Sequence, residues 1–137
     1  MPRTYKFTRA ENKKFADLYK QANFAGRDAV KNMAPITPMV IVESDLFGNR
    51  TSDKEYVIKD GPCGFAWVDI RPLTSRFGRW LTQNDLASKD DYYKKSHCIW
   101  ISDYGQSIAK KEVHAYAMAK YLSDNGIKRV YASSRMD

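Results

Sequence analysis

The first third of the chain spaces its apolar residues as an amphipathic helix does. Between Phe15 and Met33 an apolar side chain recurs every three or four positions, which predicts a helix with one face against a core. Thr8 with Glu11 three residues later fits a capping box. We therefore predict that an N-terminal helix covers 8–34.

A glycine and two prolines interrupt this helical pattern. Gly26 is expected to kink or split the helix, and Pro35 and Pro38 are expected to end it. The chain is short enough to form a single domain over 1–137. We predict three parts in it: a short arm at 1–7, the helix at 8–34 and an α/β body at 35–137.

Short apolar runs then replace the helical spacing. The run at 39–42 is β-branched, and 54–59 alternates around Tyr56, Val57 and Ile58, so both predict strands, and Asp60-Gly61 is a hairpin signal. The run at 64–70 is apolar at odd and even positions, which favours a central strand.

Strands and helices alternate in the second half of the chain. Thr74 or Ser75 begins a helix, 98–101 forms a strand, Ser107 begins a long helix, and 129–132 forms the last strand. The predicted order is α-β-β-β-α-β-α-β, and its C-terminal β-α-β-α-β unit should pair in parallel. The fold class is therefore α+β with a mixed sheet and with helices mainly on one face.

The composition adds a strong positive charge to this picture. The chain is 43% hydrophobic and 28% charged, which is typical of a globular domain and excludes general disorder. No apolar run is long enough for a membrane span, and the first residues lack the apolar region of a signal peptide. The net charge of +7 is concentrated in 1–34 and 73–111, and clustered positive charge favours a polyanionic partner such as nucleic acid.

The chain offers few residues for catalysis or metal binding. His97, His114 and the two cysteines, Cys63 and Cys98, lack zinc-ligand spacing, so we interpret them as structural histidines and buried thiols. No glycine-rich phosphate loop occurs. We predict no catalytic residue, no metal and no cofactor.

Five acidic residues remain as candidates for a magnesium site. We interpret them instead as parts of a solvated loop and an edge strand, where charge blocks unwanted pairing. They are Glu43, Asp45, Asp53, Glu55 and Asp69.

Basic and aromatic residues interleave in ways that suit nucleic acid. Tyrosines could stack on bases while neighbouring lysines hold phosphates. The predicted nucleic-acid-binding residues are Arg76, Arg79, Tyr92, Tyr93, Lys94, Lys95, Lys110, Lys111, Lys13 and Lys14.

A second aromatic group depends on how the helices pack. By strand parity Phe65 and Trp67 share one face, and Trp100 lies on a strand that could be their neighbour. If helices cover only one face of the sheet, these residues form a platform for single-stranded bases or for a protein. Otherwise they belong to the core.

Four sequence motifs carry a resemblance to other proteins. They are GFAWV at 64–68, FGRWL at 77–81, AYAMA at 115–119, and GI at 126–127 followed by SRMD at 134–137. With the rest of 35–137, they resemble a group of uncharacterised small proteins of tailed bacteriophages. The resemblance implies a phage origin, a compact domain and a location in the cytoplasm of the infected bacterial host. It transfers no catalytic or binding residue.

These observations favour a small, basic, non-enzymatic phage accessory protein that binds nucleic acid through Lys/Arg and Tyr/Trp surfaces. One alternative is an inhibitor of a host enzyme or immune effector, such as an anti-CRISPR or other anti-defence protein. Two others are a sponge for a nucleotide signal and a nuclease that uses His97 with His114 or the acidic cluster. The sequence leaves open DNA, RNA or protein as the partner, and the oligomeric state.

Overall fold

The computed structural model describes residues 4–36, 39–44, 46–47, 49–58 and 61–137. Within these ranges the protein has an α+β fold with three helices, a two-stranded sheet and a four-stranded antiparallel sheet. The helices are α1 (Arg9–Lys31), α2 (Arg76–Gln83) and α3 (Ile108–Asp124). The strands are β1 (Met39–Ser44), β2 (Arg50–Ile58), β3 (Gly64–Ile70), β4 (Ser88–Asp90), β5 (Ser96–Trp100) and β6 (Val130–Met136).

The capping box at the start of α1 is confirmed. The Thr8 hydroxyl accepts the backbone N–H of Glu11 at 3.0 Å, and the Glu11 carboxylate accepts the backbone N–H of Thr8 at 3.1 Å. The prediction that Gly26 splits the helix is wrong, because α1 runs through it without interruption. A Cβ at that position would collide with the ring of His114 on α3, so Gly26 permits the close approach of the two helices.

The two-stranded sheet is formed by β1 and β2, which pair antiparallel with Met39 opposite Ile58. The predicted hairpin between β2 and β3 is not formed, because the two strands belong to different sheets. Asp60, the first residue of that predicted turn, lies outside the described residues.

The four-stranded sheet has the order β4-β5-β3-β6, and every neighbouring pair is antiparallel. The predicted parallel pairing is therefore wrong. The reason is β4, a strand of three polar residues that lies between α2 and β5 in the chain. It pairs antiparallel with β5, so the chain reverses direction before β5 pairs with β3. Strands β5 and β6 then run in the same direction on either side of β3, which is the connectivity of the split β-α-β motif. The central position predicted for β3 is confirmed.

The core lies between the sheet and the helices. Alternate residues of β3 join one apolar cluster with all three helices, and its fully buried side chains include Ala66, Val68, Ile70, Leu81, Met118 and Leu122. Helices α2 and α3 contact the sheet, whereas α1 packs mainly on α3 as an outer layer. The prediction that the helices pack mainly on one face of the sheet is therefore not exact, because α1 packs on α3 and not directly on the sheet.

Among the described residues, no helix is long and apolar enough to cross a bilayer.

Candidate nucleic-acid interface

The other residues of β3 form the centre of an open face on the four-stranded sheet. Phe65, Trp67 and Asp69 alternate with the core residues and project away from the helices. Paired residues on neighbouring strands share a face, and Trp67 lies opposite Trp100 of β5 while Asp69 lies opposite Tyr131 of β6. Three strands therefore contribute aromatic side chains to this open face.

The aromatic rings of the open face are partly available to a ligand. The rings of Trp67 and Trp100 lie 5.0 Å apart between centroids and are tilted by 42°. Trp100 is 46% exposed and Tyr131 is 47% exposed. Ring area exposed to this extent can stack against a planar partner.

Cationic side chains lie beside these rings. The Lys94 ammonium lies 4.0 Å from the ring centroid of Trp67, and the Arg71 guanidinium lies 5.5 Å from that of Tyr131. Arg135 lies 5.8 Å from the ring of Phe65. Lys94, Arg71 and Arg135 form no ion pair with any residue in the described ranges. Each ring therefore has a cation next to it whose charge can still meet an anion.

A buried carboxylate holds Trp67 in place. Asp69, only 2% exposed, accepts hydrogen bonds from the Trp67 indole at 3.1 Å, from the Ser96 hydroxyl at 3.1 Å and from the Cys98 thiol at 2.9 Å. Burial, followed by the hydrogen bond to Asp69, raises the pKa of the Cys98 thiol to about 11. Cys98 is thus a buried neutral thiol as predicted, whereas Cys63 is only half-buried.

The turn between β4 and β5 carries the predicted tyrosines and lysines. Tyr92 and Tyr93 are strongly exposed, and their rings meet edge to face at 4.6 Å. Asp90 accepts the backbone N–H groups of both tyrosines, and these bonds, that of Tyr93 first, lower the pKa of Asp90. Lys94 reaches the open face, whereas Lys95 turns back and donates to the Asp91 carbonyl.

Two predicted arginines bind the N-terminal arm to α2. Arg76 pairs with Glu11 at 2.9 Å and donates to the Lys6 carbonyl at 3.0 Å. Arg79 lies 4.2 Å from the ring of Tyr5. The structure therefore places both arginines in contacts within the chain.

The other predicted lysines lie on α1 and α3. Lys13 and Lys14 are exposed on α1, the layer furthest from the open face. Lys110 is half-buried at the start of α3, and Lys111 is buried and donates to the Gly64 carbonyl at 3.3 Å. The ten predicted residues therefore do not form one surface.

Three residues of the open face appear neither in the predicted binding set nor in the predicted aromatic platform. Arg71, Tyr131 and Arg135 lie just after β3 or along β6, and the parity of β6 places Tyr131 and Arg135 on one face. The alternation along β6 can be seen in the sequence, but it assigns these residues to the open face only once the pairing of β6 with β3 is known.

The two histidines are buried and hydrogen-bonded. His97 bonds to the Thr82 hydroxyl at 2.6 Å and the Leu73 carbonyl at 3.0 Å. His114 bonds to the Tyr104 hydroxyl at 2.8 Å and the Asn23 amide at 2.9 Å. Burial lowers the pKa of both imidazoles. Each ring nitrogen of the two histidines therefore has a hydrogen-bond partner within the chain.

Acidic residues do not assemble a metal site in the part of the chain described here. No group of three or more metal-ligating side chains occurs among those residues. Asp69 of the predicted acidic cluster is bound beneath the open face, and Asp45 lies outside the described residues.

Comparisons with known proteins add no relative. The chain matches no model of a protein family, no curated protein and no solved structure.

Proposed function

We propose that this protein is a non-enzymatic binder of single-stranded nucleic acid and that the open face of its sheet is the binding surface. The observation that carries the proposal is the set of half-exposed aromatic rings beside cations that have no ion pair within the described residues. Bases would stack on Trp100 and Tyr131, and the backbone phosphates would lie near Lys94, Arg71 and Arg135.

Stacking favours a single strand over a duplex. An unpaired base can turn its π face to an aromatic side chain, whereas a base inside a duplex is already stacked on its neighbours. The same use of a four-stranded sheet is familiar from the RNA recognition motif, whose central strands carry aromatic side chains for two or three bases. That parallel is one of architecture, and the proposal rests on the side chains of this face.

The first test measures fluorescence polarisation of labelled single-stranded and duplex oligonucleotides of equal length across a salt series. We expect tighter binding of the single strand and a log K that falls by about 0.7 per phosphate contact for each tenfold rise in salt. Gel analysis after incubation with Mg²⁺ should show intact oligonucleotide.

Variants of the exposed rings locate the binding surface. Trp100→Ala and Tyr131→Ala should each weaken binding by about tenfold, because one base stack contributes about 1–3 kcal/mol. Tyr116→Ala is the matched control, since Tyr116 is 64% exposed on α3 and is not part of the open face. Equal affinity of Trp100→Ala and Tyr116→Ala, or preference for the duplex, would refute the proposal.

The salt series also separates this function from the inhibitor alternative. A protein partner would use the same exposed rings as anchors but would not require a row of phosphate contacts. Absence of any oligonucleotide binding at low salt would shift the interpretation of the open face to a protein partner.

A further inference from the structure

A second positively charged site lies where β3 ends, on the side of the sheet that carries the helices. It is a cleft of about 380 Å³ between the end of β3, Phe15 of α1, the N-terminal end of α2 and the connection from α3 to β6. Its described lining contains no carboxylate and four cationic side chains, namely Arg71, Arg76, Lys128 and Arg129. A cleft with this lining concentrates positive potential and attracts anions.

Three of these cations are not neutralised within the described part of the chain. Arg76 is paired with Glu11, but Arg71, Lys128 and Arg129 form no ion pair with any residue in those ranges. Like charges that share a small cleft repel one another. A bound anion would relieve this repulsion.

Arg71 provides an independent indication of a missing acceptor. Its Nε is buried and finds no hydrogen-bond partner among the described residues. Native proteins rarely leave a buried donor unpaired, because its lost hydration is not replaced. A small rotation of the guanidinium toward an anion in the cleft would give this N–H an acceptor.

The backbone around the cleft is held in a fixed arrangement. The Arg71 backbone N–H donates to the Arg129 carbonyl at 2.9 Å, which ties β3 to the α3–β6 connection. Ser75 caps α2 at the wall of the cleft, and a helix N-terminus carries partial positive charge. The backbone that carries Arg71 and Arg129 is therefore held together at this cleft.

We propose that this cleft binds a phosphate group of the strand that lies on the open face. This assignment rests on the proposed function for its strand, although the phosphate chemistry can be tested separately. Arg71 connects the two sites, because its guanidinium also lies 5.5 Å from the ring of Tyr131 on the open face. A planar guanidinium can bind two phosphate oxygens at once.

A pair of double variants tests the contribution of the cleft to strand binding. Lys128→Gln with Arg129→Gln removes two exposed cations of the cleft, and Lys13→Gln with Lys14→Gln removes two exposed cations of α1. Both variants change the net charge equally. We expect only the cleft variant to lower affinity, by about tenfold, and to reduce the salt slope by about 0.7–1.4. An equal effect of the two variants would overturn the assignment.

Oligonucleotides with different ends identify the kind of phosphate. We would compare a 5′-phosphate, a 3′-phosphate and hydroxyl groups at both ends. A gain from one terminal phosphate that disappears in the cleft variant assigns the cleft to a strand end. Equal affinity of all three with a reduced salt slope assigns it to an internal phosphodiester.

Inorganic phosphate tests the site without any strand. The Arg71 Nε–H resonance should shift on titration with inorganic phosphate, but not with chloride at equal ionic strength or in the cleft variant. If this shift occurs but no oligonucleotide binds, the cleft is an anion site and the proposed function is refuted. Absence of the shift in the wild-type protein would refute the cleft assignment, whatever the oligonucleotides do.

Discussion

The two faces of the four-stranded sheet use the same strands for opposite purposes. On the covered face, β3 presents Ala66, Val68 and Ile70, which have no exposed surface. On the open face, the alternate positions present Phe65 and Trp67 beside aromatic residues of β5 and β6 that are nearly half exposed. Small and aliphatic side chains allow the helices to approach closely, whereas large flat rings provide area for a planar ligand.

The polar groups of the two faces differ in the same way. His97 and His114 on the helix side have a partner at each ring nitrogen. The cations of the open face instead lie beside aromatic rings and form no ion pair within the described residues. The two histidines therefore have no ring nitrogen without a partner, whereas the cations of the open face have no anionic partner within the described residues.

The largest expected difference between the faces is in stability. Ile70→Ala should lower the free energy of unfolding by about 2–5 kcal/mol, because it leaves a cavity in the covered core. Trp100→Ala should cost less, about 1–2 kcal/mol, since nearly half of its surface is already exposed and its removal deletes the ring pair with Trp67. Urea unfolding followed by circular dichroism gives both values. Equal losses would mean that the open face is part of the core.

Gly26→Ala tests the close contact on the covered side. An alanine usually stabilises a helix by about 1 kcal/mol relative to glycine, but here the new Cβ would collide with the His114 ring. We expect a net loss of about 1–3 kcal/mol from overpacking.

The reverse exchange at Ala16 is the matched control for Gly26. Ala16 is exposed on α1, so Ala16→Gly should show only the ordinary propensity cost of about 1 kcal/mol. A more stable Gly26→Ala protein would show that the contact with His114 can relax.

Local signals along the chain predict the helices well. The capping residues Thr8 and Ser107 are where the sequence places them, because a cap is formed by neighbours within a few positions. The antiparallel sheet could not be predicted, because β4 contains only Ser-Lys-Asp and pairs through its backbone without any apolar periodicity.

The proposed binding surface was harder to predict than the fold, because it depends on contacts between distant strands. Lysine is usually a surface residue, yet the aliphatic part of the Lys111 side chain is buried between α3 and β3. Tyr131 joins Trp67 and Trp100 only through the pairing of β6 with β3. The face shared by Phe65 and Trp67 could be predicted because parity along β3 is a local property.

Mild acid should lower the free energy of unfolding through the two buried histidines of the covered side. Burial lowers the pKa of His97 and His114 in the folded protein, and unfolding restores the ordinary value of about 6.5. Below pH 6.5 the unfolded state therefore binds more protons, and stability falls until the lowered pKa is reached. Each histidine contributes a loss of at most about 1.4 kcal/mol per pH unit.

Urea unfolding between pH 7 and pH 5 measures this dependence. Trp100→Ala should keep the same slope as the wild-type protein, because the open-face ring does not touch either histidine. A free energy of unfolding that stays constant over this range would contradict the assignment of both histidines as buried neutral groups.

The smallest expected effect separates two adjacent lysines of the β4–β5 turn. The Lys94 ammonium lies over Trp67 and within 5.5 Å of the Trp100 ring centroid, so a stacking base would move it toward a phosphate. Lys94→Gln should reduce the salt slope of oligonucleotide binding by about 0.7, while stability changes by less than about 1 kcal/mol. Lys95→Gln should leave the slope unchanged, because Lys95 turns back to the Asp91 carbonyl. Equal slopes for the two variants would place the strand beside the turn instead of on the open face.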